Sequence, residues 1–250
     1  VVADVRRYDA AQDRWSSAGA APQALHAAAA AALRGSLYLI GGETADGTVS
    51  DQLLIYDPAA DRWQSGPALP APRSRAAATA WDGRLYLIGG WDGNSYRNEV
   101  FVYDPQSAGW STIRGPVDAR ADAAAAVAAG RLYLIGGVNA DGPLRSVEWL
   151  AASDDPQRSW QSAPALPTAV AAPISAGVGG ALLVFDSSAR RVMSFDRDSA
   201  AWSSSDLPAE LAAGSRGGLL GDRVFLLADT AGDGQLSAYQ ALFTLFIPLR

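Results

Sequence analysis

Leu37-Tyr38-Leu39-Ile40-Gly41-Gly42 returns as Leu85-Tyr86-Leu87-Ile88-Gly89-Gly90 and again as Leu132-Tyr133-Leu134-Ile135-Gly136-Gly137. The copies lie 48 and then 47 residues apart. A period of this size belongs to propeller blades or solenoid units, in which each repeat is one supersecondary unit. Each copy is a short apolar run closed by Gly-Gly, the pattern of a strand buried on both faces.

Working outward, an aromatic-Asp step follows the first two Gly pairs, Tyr56-Asp57 and Tyr103-Asp104, and a Trp follows each step, Trp63 and Trp110. Tyr8-Asp9 and Trp15 repeat this at the N-terminus, so the chain opens inside a unit. Trp15, Trp63, Trp110, Trp160 and Trp202 are spaced 48, 47, 50 and 42 residues apart and mark five units. Small-residue runs at 27–32, 76–80 and 123–129 precede the Gly-Gly strands. Alanine favours helix, but the repeat leaves room only for a short strand there, and small side chains suit an inner strand crowded around an axis. Residues 53–56 and 100–103 read as third strands that stop at Asp-Pro, a turn signal. Each unit is therefore four strands, and the class is all-β.

At this point the units resemble kelch repeats: an Arg-led first strand, a second strand ending in Gly-Gly, a third ending in Tyr-Asp and a fourth bearing Trp. Residues 73–110 match throughout, with Arg73, Gly89-Gly90, Tyr103-Asp104 and Trp110. Residues 25–63 match except for Leu25 in place of the Arg, and residues 120–160 carry Trp149-Leu150 in place of Tyr-Asp. Residues 171–202 lack the Gly pair, and residues 213–228 keep two strands. The resemblance implies one β-propeller over 1–250, with blades at about 24–64, 73–111, 120–161, 171–203 and 213–228. The last is closed by residues 1–16, so N- and C-terminal strands share a blade. Residues 236–250 compete for the same place as an extra strand or tail. A larger ring lacking N-terminal blades is the alternative.

Composition narrows the function. The net charge is −6 with no basic run, which argues against a nucleic-acid partner. All 20 basic residues are Arg. With no Cys, disulfides and thiolate metal sites are excluded. The apolar tail 241–249 is too short to span a bilayer as a helix. A start at Val1 rather than Met is read as upstream sequence removed or left out, and a location outside the cytoplasm, in a bacterium, is expected.

Alternation of strand direction puts the loops 43–50, 91–98, 138–145 and 229–236 on one face with the links that enter each blade. Kelch-like proteins usually bind there. The candidate binding residues on this face are Arg73, Arg75, Arg120, Asp122, His26, Trp91, Tyr96, Arg97 and Arg216. Arg73 and Arg120 occupy matching positions, as do Arg75 and Asp122, and either fork onto carboxylates at the channel mouth or order the loops through backbone carbonyls. Trp91 and Tyr96, with Arg97 beside them, could stack on a sugar or anchor a protein. His26 aligns with Ser74 and Ala121, and a lone His without Cys makes no usual zinc site. Residues 229–235 only faintly resemble a calcium loop, since Ala231 fills a ligand position. No catalytic set and no cofactor are expected. The expected role is a non-enzymatic binding module for a protein or glycan. Its alternatives are a sugar-active enzyme of the sialate-mutarotase kind, drawing on Arg73, Arg120 and His26, and a structural domain of a larger surface protein.

Overall fold

A computed structural model describes residues 3–9, 11–12, 14–152, 159–178 and 180–207, together with the backbone of three later strands. Every element among them is a β-strand. β1 (Val5–Asp9) and β2 (Arg14–Ala18) form a two-stranded ribbon. Four complete antiparallel blades follow. The first holds β3 (Ala29–Leu33), β4 (Ser36–Ile40), β5 (Leu53–Asp57) and β6 (Arg62–Ser65). The second holds β7 (Ala77–Trp81), β8 (Arg84–Trp91), β9 (Tyr96–Asp104) and β10 (Gly109–Ile113). The third has β11 (Ala124–Ala128) and β12 (Arg131–Ile135), then a small hairpin of β13 (Val138–Asn139) and β14 (Gly142–Pro143), then β15 (Val147–Ala151) and β16 (Gln161–Ala163). The fourth holds β17 (Ile174–Val178), β18 (Ala181–Asp186), β19 (Arg191–Asp196) and β20 (Ala201–Asp206).

The alanine runs are the inner strands β3, β7 and β11, as the repeat length requires. Each inner strand packs beside the next in the order β3, β7, β11, β17 and β21 (Arg216–Leu220). Apolar clusters fill the seams between blades. Tyr38, Ile40 and Leu53 of the first blade meet Leu85, Leu87 and Phe101 of the second. Ile88, Val100 and Val102 meet Leu132, Leu134 and Leu150 of the third. Tyr133 and Ile135 meet Val184 and Met193 of the fourth. Because both faces of each central strand are covered, its sequence is apolar throughout rather than alternating.

Tryptophans in the fourth strands, or in Trp160's case just before one, tie the rim. Each donates its indole N–H to a carbonyl in the link leaving the preceding unit: Trp63 to Gly19 at 2.8 Å, Trp110 to Pro67 at 3.0 Å, Trp160 to Arg114 at 3.1 Å and Trp202 to Pro164 at 2.8 Å. The Trp63 bond places the β1–β2 ribbon as the outer half of the unit before the first blade.

Gly-Gly has a steric cause. In Gly41-Gly42 both residues lie at positive φ, and Gly42 N–H donates to Arg73 O at 2.7 Å in the next link. A Cβ on Gly41 would sit 2.0 Å from that carbonyl oxygen. Gly90 and Gly137 repeat the bond, to Arg120 O and Val170 O.

One expectation is corrected, and one competition is resolved. In the third blade Leu150 pairs with Leu132 as Tyr103 pairs with Leu85, so Leu150-Ala151 occupies the Tyr-Asp position and Trp149 lies one residue earlier. Trp149 therefore faces the fourth blade, and the Arg131 guanidinium lies 3.8 Å over its ring. At the C-terminus, β22 (Arg223–Asp229) pairs with β21 on one side and with β23 (Leu236–Ala241) on the other. Of the segments competing for the edge of β22, residues 1–16 and 236–250, the tail strand β23 holds it. A short hairpin closes at less entropic cost than a contact across the whole chain. The faint calcium loop and residues 242–250 lie outside the described residues.

Candidate binding face

In the first three blades the link entering each blade bridges the loop that follows its second strand. His26 bridges Glu43, Ser74 bridges Trp91 and Ala121 bridges Val138, so the three link positions aligned by sequence are structurally equivalent. One residue further on, Ala27, Arg75 and Asp122 all adopt the left-handed conformation, with φ of 51°, 54° and 52°. That costs non-glycine residues strain, offset here by a chain of bonds around the mouth. Arg75 N–H donates to Ala27 O and Asp122 N–H donates to Arg75 O, each at 2.8 Å.

The Arg75 guanidinium reaches across to the Asp122 carboxylate through Nε, at 3.0 Å, and Nη2. Asp122 raises the pKa of Arg75. Both side chains stand over a central cavity of about 440 Å³ walled mainly by alanines of β3, β7 and β11. Among the described residues, the mouth therefore carries the Arg75–Asp122 pair above a cavity walled largely by small side chains.

Arg73 and Arg120 turn inward. Arg73 is 3% exposed; it donates to Pro72 O at 2.8 Å and to Glu99 Oε2 at 3.1 Å, and lies 4.9 Å over the Phe101 ring. Arg120 is 1% exposed and donates to Glu148 Oε1 at 2.7 Å, to Gly136 O at 3.2 Å, to Ser146 O at 3.4 Å and to Asp118. Burial pulls both guanidinium pKa values down, opposed by the neighbouring carboxylates. The second oxygen of Glu148 accepts Val117 N–H at 2.9 Å, so this buried pair also holds the link. His26 is 46% exposed with Nδ1 3.8 Å from Glu43 Oε2. Arg216 opens β21, with its side chain outside the described residues.

In the second blade, β8 and β9 continue beyond the Gly pair, with Trp91 opposite Tyr96. Asp92 makes the turn between them by accepting Ser95 N–H at 2.7 Å and Asn94 N–H at 2.8 Å. These bonds, Ser95 first, hold its carboxyl below the usual carboxylate range. Its other oxygen takes Arg97 Nε at 2.6 Å. The raised hairpin makes one wall of a cleft of about 570 Å³ lined by Trp91, Asn94, Tyr96, Val117, Asp118 and Asn139, among others. Trp91 and Tyr96 meet edge to face, with centroids 5.1 Å apart and planes at 68°. Val117, 79% exposed, is the one large apolar side chain among the described residues that stands so open. Sequence reasoning named the two aromatics but missed Val117, Asp118 and Asn139. A single Val after Pro116 carries no local signal of exposure.

Among the described residues no three His, Cys, Asp or Glu side chains gather to hold a metal ion, and no helix is long and apolar enough to cross a membrane.

A search of the curated proteins finds no match to this chain. Among solved structures, that of YjhT is similar over 95% of this chain and 87% of its own, with a TM-score of 0.79 and 16% sequence identity. The KLHDC2/KLHL20/DRC7 Kelch-repeats domain family matches residues 1–187. Together with the Arg, Gly-Gly, Tyr-Asp and Trp positions seen in the blades, that match places the chain in the kelch-repeat family.

Proposed function

We propose that this propeller is a non-enzymatic binding module that presents the loops of its mouth face to a protein or glycan partner. The supporting observation is the cleft between the second and third blades, lined by the partly exposed Trp91 and Tyr96 and the open Val117. Aromatic anchors in a desolvated pocket carry most of the energy of typical interfaces. Arg73 and Arg120, on which a sugar-active enzyme would draw, are buried and bonded within the protein, so their geometry favours a scaffold role.

The test is binding of the purified chain to protein and glycan arrays beside two variants, Trp91→Ala/Tyr96→Ala on the mouth face and Gln106→Ala on the opposite face. A partner lost only with the mouth-face variant supports the reading. Partners that bind all three proteins equally, or are lost only with Gln106→Ala, overturn it.

A further inference from the structure

We propose that the cleft between the second and third blades receives a basic side chain, arginine or lysine, from a partner protein. This rests on the binding-module reading and specifies its partner. Trp91 and Tyr96 stand at 68° to one another, so the cleft wall contains a corner of two π surfaces. Aromatic faces attract cations, most strongly where water is displaced.

The fixed charges around the cleft leave a net negative residue. Arg120 is matched by Glu148 at 2.7 Å, Arg73 by Glu99 at 3.1 Å and Arg97 by Asp92 at 2.6 Å. Asp118 is the fourth carboxylate against three guanidiniums. Its side chain is 46% exposed and lines the cleft, and its carboxylate lies 3.4 Å from Arg120, farther than that of Glu148, while its backbone O accepts Arg120 Nε at 3.3 Å. A carboxylate beside two angled aromatic rings suits a cation, whereas an acidic ligand would meet Asp118 as a like charge. Asn94, Ser95 and Asn139 add amide and hydroxyl groups at the rim, suited to the backbone on either side of an inserted residue. A protein of net charge −6 also draws basic partners by long-range steering.

The probes are fluorescent Gly/Ser peptides with one central Arg, Lys, Gln or Glu, followed by anisotropy, with maltohexaose as competitor. The proteins are wild type, Asp118→Asn, Trp91→Phe, Trp91→Leu and Gln106→Ala, each confirmed folded by thermal unfolding. The Arg and Lys peptides should bind about tenfold more tightly than the Gln peptide, a ratio worth about 1.4 kcal/mol. The Glu peptide should be weakest. Asp118→Asn should erase most of that ratio, Trp91→Leu should weaken the Arg peptide about threefold to thirtyfold, and Trp91→Phe should retain more affinity than Trp91→Leu. Gln106→Ala should change nothing, and salt should weaken the Arg peptide selectively.

Equal binding of Arg and Gln peptides, or no saturable binding of the Arg peptide below about 1 mM, overturns the inference. If binding still depends on Trp91 but not on charge, or passes to maltohexaose, the basic-side-chain inference falls while the binding face stands. If nothing depends on Trp91 or Asp118, both fall.

Discussion

Replacing Arg120 tests the idea that the signature arginine is a structural strut. Arg120→Met keeps the stem but removes the guanidinium. Glu148, with 5% of its side chain exposed, would keep its charge with only Val117 N–H as a remaining partner. Gly136 O and Ser146 O would lose their shared donor. Breaking a buried pair from one side costs about 3–5 kcal/mol, which for a chain of this size lowers Tm by about 6–20 °C. The double variant Arg120→Met/Glu148→Met removes both charges, so it should lose less than Arg120→Met alone. Urea unfolding followed by tryptophan fluorescence gives all corners of the cycle. A loss below about 1 kcal/mol for Arg120→Met, or strictly additive single losses, would refute the strut. Arg75→Ala is the contrast: its ion pair is one-third exposed, and screening there holds the loss to about 1 kcal/mol or less.

Gly41→Ala should abolish or severely impair folding, because its Cβ would lie 2.0 Å from Arg73 O, whereas Gly35→Ala, with nothing within 4 Å, should cost only about 1–2 kcal/mol for its positive φ; expression yield and urea midpoints separate the two. Trp110→Ala should cost about 3–5 kcal/mol, since the ring packs on the seam with the first blade and its N–H holds Pro67 O. Hydrogen bonds, led by Tyr56 to Asp61 and by backbone N–H groups to Asp104 and Asp196, hold these three carboxyls below their ordinary pKa. Their contribution is therefore complete above about pH 4, the unfolded value, and is lost as pH falls through the lower folded values. Urea midpoints should drop below about pH 4, less steeply in Asp61→Asn. A pH-independent midpoint in that range would contradict the assignment.

The repeat was legible because each of its marks answers a local demand. Gly-Gly is required where the next link crowds the backbone, Trp reaches back to a carbonyl, and Ala lines the axis. The mouth face followed from strand alternation alone. Other features depend on distances that spacing does not encode. Arg73 and Arg120 occupy one position yet take their acids from Glu99 and Glu148, which lie two register positions apart on their strands because a long guanidinium reaches either. The sequence alone does not say which of the adjacent apolar residues Trp149 and Leu150 takes the Tyr position, since a one-residue slip exchanges the faces they occupy. The cleft arises only when the tall β8–β9 hairpin faces the link at Val117.

The Pro-rich link at 66–72 leads from the first blade to the second and is bonded on both sides. Leu69 N–H and Arg73 N–H bond back to Asp51 and Ser50 of the blade it leaves, while Gly42 and Trp110 bond to it from opposite sides. The first and second blades are therefore tied to each other at several points across this link. A protease would find the joint closed, a pulling force would load several bonds at once, and a blade could be gained or lost only as a whole repeat together with its seam.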